Sequence, residues 1–195
     1  MPATGCQKYG WPTHERQAYR YFVGNGIPKL VERLAPADQR TPAVLEAALA
    51  DFKRDYGQHL RDTTAPYPGI PEMLAKLKAN GVQLAVFSNK ADALAKEVVK
   101  DYFGTQYFTI VRGQMTGVAP KPAAEGTNAL LQALHADPAS TLYVGDSNVD
   151  VETAHNANLP CCGAVWGFRT REELNAAGAE YLAENSDELY DVIMK

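Results

Sequence analysis

From about residue 66 to the end, short apolar runs and amphipathic segments take turns, and this alternation is what most constrains the fold. "VQLAVFSNK", "YFTIVRGQ", "TLYVGDS" and "CCGAVWGF" read as strands: short, apolar and polar at the exit. Between them "PEMLAKLKANG", "DALAKEVVKDYFG", "PAAEGTNALLQALHA" and "NVDVETAHNANL" read as helices. "TREELNAAG" and "SDELYDVIMK" add two more helices, and "AEYLA" a last edge strand. Consecutive strands separated by helices pair in parallel, and a parallel sheet needs helices on both faces. The expected class is therefore α/β.

Residues 1–65 have a different texture and read as all-helical. "PTHERQAYRYFVGN" offers a helix start at Thr13 and Glu15. "GIPKLVERLAP" predicts a short helix bounded by Gly26 and Pro36. "TPAVLEAALADFKRDYGQHL" opens with Thr41 as N-cap and Pro42 at the first helical position. Two prolines and a glycine in "TAPYPGI", residues 64–70, mark a hinge. The expected division is a helical domain over 1–65 and an α/β domain over 66–195.

Net charge is −4 and no Lys/Arg run occurs, which argues against nucleic acid and anionic membrane as partners. No apolar run approaches the roughly 20 residues that span a bilayer. "MPATGCQKYG" lacks the apolar core of a signal peptide. Three cysteines, Cys6, Cys161 and Cys162, suggest free thiols in a reducing, cytoplasmic setting.

In open parallel sheets, ligands bind beyond the carboxyl ends of the strands. The residues expected there are Ser88, Asn89 and Lys90 after the first strand, and Asp146, Ser147 and Asp150 after the third. Lys121 lies between two prolines in the intervening "VAPKP". Asp146 and Asp150 stand at i and i+4, on one face of a starting helix. Two hard oxygen ligands suit Mg²⁺, which commonly takes one or two carboxylates and keeps several waters. A hydroxyl at Ser88 can hold a phosphoryl oxygen, and Lys121 supplies a positive charge beside it. Arg169 in "GFR" is a candidate for gripping a substrate carboxylate. "GNG", residues 24–26, is either a tight turn or a segment that closes over substrate. His14, His59, His135 and His155 show no metal-ligand spacing.

"LAVFSNK", "APKP" and "YVGDSNVDVETAHNA" resemble the second, third and fourth motifs of the haloacid dehalogenase superfamily of phosphatases. "PYPGIPEMLAKLKANG" is similar to the segment that re-enters the core domain from the cap. "WGFRTREEL" and "YFVGNGIPKLVERL" resemble the phosphoglycolate phosphatase branch. The resemblance implies a Rossmann-like core under a small helical cap. It implies a Mg²⁺-dependent phosphatase acting on a small phosphorylated metabolite, phosphoglycolate first, in a monomer or homodimer. Ser88 would bind the phosphoryl group, Lys121 would orient nucleophile and phosphate, Asp146 would bind the metal and Asp150 would support that site directly or through water; apart from the resemblance, Asn89 and Lys90 could line the phosphate pocket or form a turn. A phosphoglucomutase-like transferase is a near alternative, and a metal-free dehalogenase has no need of the two carboxylates. A catalytically inactive binding relative is the alternative from another class.

The superfamily's nucleophile lies in a first motif of the form DxDGT, and no Asp-x-Asp occurs in these 195 residues. The resemblance places that motif after a central strand, between the strands ending at Ser88 and Ser147. A start upstream of Met1, two unpaired inner strand edges, and a nucleophile that this chain does not carry are therefore expected.

Overall fold

A computed structural model describes residues 6–15 and 17–195. The chain divides into two compact units, residues 1–65 and 66–195.

The first unit is helical where described: α1 Tyr19–Phe22, α2 Ile27–Leu34 and α3 Pro42–Gln58, with a 3₁₀ turn at Ala37–Gln39. The helix expected from Thr13 is corrected. Residues 11–15 form no helix, and α1 spans only four residues. Arg16, within that expectation, lies outside the described residues. An amphipathic α2 buries Leu30, Val31 and Leu34 against Trp11, Cys6 and Ala48. Gly24 and Gly26 adopt φ of 106° and 83°, so "GNG" is a turn that a β-carbon would strain. Arg33 pins this turn, donating to the carbonyls of Tyr21 and Phe22 and to Asn25 Oδ1. Thr41 caps α3 by accepting from the Val44 N–H.

The second unit alternates as its sequence predicts. Its order is α4 Ile70–Ala79, β1 Leu84–Ala91, α5 Asp92–Phe103, β2 Phe108–Gln114, α6 Glu125–Leu134 and β3 Tyr143–Gly145. Then come α7 Asn148–Asn156, β4 Cys161–Ala164, α8 Arg171–Ala176, β5 Tyr181–Ala183 and α9 Ser186–Ile193. Every pairing is parallel, but the strands form two sheets rather than one: β1-β2, and β3-β4-β5 with β5 at the edge. Among the described residues no strand joins β1 to β3. Val144, on β3, is 39% exposed, although β3's neighbour β4 is buried throughout.

β4 carries the cores of this unit. Successive side chains of a strand face opposite ways. Cys161 accordingly packs with Leu131, Val151, Ala154 and Leu174, and Cys162 with Met73, Leu74, Leu77 and Leu189. Burial raises both thiols, Cys161 to about 12 and Cys162 to about 11. All three cysteines are free and buried.

Candidate active site

β1 delivers its exit residues through a ladder break. Phe87 pairs with Arg112 and Ala91 with Gln114, so β1 advances four residues while β2 advances two. Ser88, Asn89 and Lys90 are the extra chain, pushed out of register as in a bulge. Gly113 makes room: a β-carbon there would lie 2.4 Å from the Lys90 carbonyl oxygen. The Gly113 N–H, turned away from the ladder, donates to Asp92 Oδ1 at 2.9 Å. Ser88 Oγ accepts from the Lys90 N–H at 3.1 Å.

Asn89 grips the Lys121 backbone from both sides. Its Oδ1 accepts from the Lys121 N–H at 2.8 Å and its Nδ2 donates to the Lys121 carbonyl at 3.1 Å. The Lys121–Pro122 peptide bond is cis. This grip fixes the loop before α6 onto β1, and the Lys121 side chain reaches the residues after β3. Its ammonium lies 2.6 Å from Asp150 Oδ1, with both side chains about one-tenth exposed. Burial pulls the Lys121 pKa down, but Asp150 and Tyr143 more than offset it, and the net direction is upward.

Asp146 and Asp150 do not share a helix face as the spacing suggested. α7 begins at Asn148, so Asp146 sits at the strand exit and Asp150 in the first turn. The Asp150 carboxylate folds back over the turn. Its Oδ2 accepts from Ser147 Oγ at 2.7 Å and from the Asp146 N–H at 3.2 Å. Gly145 permits this, because a β-carbon there would lie 2.1 Å from Asp150 Cβ.

The Asp146 carboxylate is cradled from the other side by the loop after β4. Phe168 N–H donates to Asp146 Oδ2 at 3.2 Å, and Arg169 N–H to its carbonyl at 3.1 Å. Gly167 is pressed against it, with a would-be β-carbon 2.1 Å from Asp146 Cβ. The Asp146 pKa is raised, first by burial and then by the Asp150 charge, against the Phe168 N–H and the charges of Lys121 and Arg169. Two partly or wholly buried carboxylates face one lysine, and a divalent cation fits that charge deficit. No cluster of three or more His, Cys, Asp or Glu exists among the described residues, so a metal here would rest on the two aspartates and waters, a donor set suited to Mg²⁺.

Lys121, Asp146 and Asp150 thus stand in one network, with Ser88 and Asn89 joined to it through the Asn89 grip. Arg169 is near enough to bias Asp146, while its backbone N–H does the holding. Gly145, Gly167 and Phe168 are supporting residues that the sequence did not single out, and Ser147, expected at the strand exit, supports Asp150. "GDS" and "WGF" carried their only signal: a glycine directly beside a candidate ligand.

A parallel α/β unit with a lysine and two aspartates gathered beyond the carboxyl ends of its strands defines a class of hydrolase core. Residues 3–164 match the model of the haloacid dehalogenase-like hydrolases, and the chain belongs to that family. It is 30% identical over 159 residues to a phosphoglycolate phosphatase of Mesorhizobium japonicum, covering 80% of this chain and 70% of that protein. It is 33% identical over 150 residues to a phosphoglycolate phosphatase of Neisseria meningitidis serogroup A, covering 75% of this chain and 64% of the relative. The crystal structure of a phosphoglycolate phosphatase candidate from Lactobacillus delbrueckii subsp. bulgaricus superposes with a TM-score of 0.92 at 25% identity. That match covers 98% of this chain and 89% of the other. No helix among the described residues is long and apolar enough to cross a membrane.

Proposed function

We propose that this chain is the greater part of a Mg²⁺-dependent phosphatase acting on a small phosphorylated metabolite, phosphoglycolate first. The observation that carries the proposal is the buried Lys121–Asp150 pair at 2.6 Å beside Asp146. It gathers a phosphate-balancing cation and two metal-type carboxylates at one point. Asp146 would hold the metal directly. Asp150, already engaged by Lys121, Ser147 and the Asp146 N–H, would support it through its remaining lone pairs or through water. Bound Mg²⁺ would supply charge neutralisation for the transferring phosphoryl group. Ser88 and Asn89, on the bulge after β1, would hold phosphoryl oxygens. Lys121 would balance the phosphate charge, and Arg169 would meet the substrate's carboxylate. The attacking carboxylate belongs to no Asp-x-Asp of these residues. In this reading it comes from a preceding strand that seats between β1 and β3. A cytoplasmic monomer or homodimer completes the proposal.

A second reading has its own support. Every oxygen of Asp150 is engaged within the chain and no Asp-x-Asp is present, which would also suit a binding protein without catalysis. Two measurements separate them. The intact mass of the protein from its own cell is compared with that of the 195-residue chain. Phosphate release from phosphoglycolate is then followed with and without Mg²⁺ on the native species. A longer native chain with Mg²⁺-dependent release, lost in Asp146→Ala and Lys121→Ala, supports the phosphatase. A native start at Met1 with no release would leave the binding protein.

A further inference from the structure

An ion pair alone does not hold a lysine still. The ammonium is a rotatable point charge on a flexible stem, and in water it trades partners readily. Lys121 has more around it. Its Nζ lies over the Phe87 ring at 5.9 Å from the centroid and over the Tyr143 ring at 5.9 Å. Tyr143 also favours its charged form electrostatically. Phe87 belongs to β1 and Tyr143 to β3, strands of separate sheets. Neither ring is free to swing away: Gly126 of α6 is so close that a β-carbon there would lie 2.2 Å from Phe87 Cζ. Tyr143 packs against the core around Leu131 and Val151.

We infer that Phe87 and Tyr143 are positioning residues for Lys121: two rings, one from each sheet, that fix its ammonium against Asp150 and keep water from it. Each ring stands at the outer end of the roughly 6 Å range of cation–π attraction, so the direct pull is small. Their larger effect is to wall the ammonium. With water excluded, the Lys121–Asp150 attraction strengthens and the charge has a single position to occupy. The Asn89 grip fixes where the stem begins, and the rings fix where it ends. The catalytic consequence rests on the phosphatase reading, but the geometry does not.

The test is NMR of the lysine ε positions in the 195-residue chain labelled with ¹³C and ¹⁵N. The Lys121 ε-methylene resonance is expected upfield of exposed lysines because of the rings, with slow exchange of its ammonium protons. Phe87→Leu and Tyr143→Leu should each move it toward the exposed value and speed exchange roughly tenfold. Tyr143→Phe keeps the ring and should retain both the upfield shift and the slow exchange. Folded leucine variants with unchanged resonance and exchange would overturn the inference. If a leucine variant does not fold, the ring-keeping Phe87→Tyr and Tyr143→Phe decide, and loss of the upfield shift in either overturns the inference. In an active native enzyme, Phe87→Leu should lower kcat roughly tenfold with little change in KM, and Phe87→Tyr should restore it. Absence of phosphatase activity would sink the phosphatase reading and leave the NMR result standing.

Discussion

Residue by residue, the candidate site is governed by what its glycines leave out. Gly145→Ala would drive a methyl into Asp150 Cβ, 2.1 Å away, where backbone and side chain are both fixed. Overpacking of this kind costs about 1–3 kcal/mol. The variant should lose that much stability, melt at a lower temperature and bind Mg²⁺ more weakly, as followed by thermal denaturation with and without the ion. Asp146 makes the opposite prediction. Its folded pKa is raised, so its contribution to stability is fully present below the free carboxyl value of about 3.9 and is lost as pH rises through the folded value. At neutral pH the charge therefore weakens the metal-free fold. Asp146→Asn should raise the melting temperature in chelator, flatten the acid side of the stability profile, and, with Mg²⁺ bound as proposed, abolish its stabilising effect. Ser88, Asn89, Asp146 and Asp150 were legible because strand exits collect polar side chains, Lys121 because two prolines frame it, and Arg169 only as a cation beside an aromatic run. The Asn89 grip and the Gly167 cradle were not. They depend on which loops meet across the strand ends, and spacing along the chain does not encode that meeting.

Among the elements, the helices of the second unit were legible from their amphipathic runs, capped or not. Thr170 accepts from the Glu173 N–H while the Glu173 side chain accepts from the Thr170 N–H, a complete capping box on α8. Thr170→Ala should cost about 1 kcal/mol, read from urea denaturation with an unchanged slope. The segment around Thr13 misled because its polar start has no amphipathic run behind it. His14, Tyr19 and Phe22 gather ring against ring, with centroids 4.9–6.0 Å apart, and this local cluster replaces a helix face. β1 was legible as a strand but not as an interrupted one. Nothing in "VFSNKA" announces that two residues of its partner face four of its own. The break is settled by Gly113 on β2, far along the chain.

At the scale of the molecule, the strands stand in two sheets, with the inner edges of β1 and β3 unpaired as the absent first motif implied. The strand order needs pairing information that apolar runs do not carry. An exposed sheet edge is a template for further pairing, and Val144 on β3 lies on such an edge. The isolated 195-residue chain should therefore self-associate at high concentration, and Val144→Lys should reduce the light scattered without lowering the melting temperature. The segment joining the two units is exposed from Arg61 to Ala65 and holds no regular structure. Brief trypsin treatment should cut after Arg61 and release two resistant fragments, resolved by mass. The neighbouring cysteines of β4 have a consequence for how the second unit opens. One thiol is sealed by the layer of α6, α7 and α8, the other by the layer of α4 and α9. A reagent must wait for a different layer to lift before it reaches each sulfur. The doublet is a pair of clocks one residue apart, and the order in which they stop tells which layer peels from the sheet first.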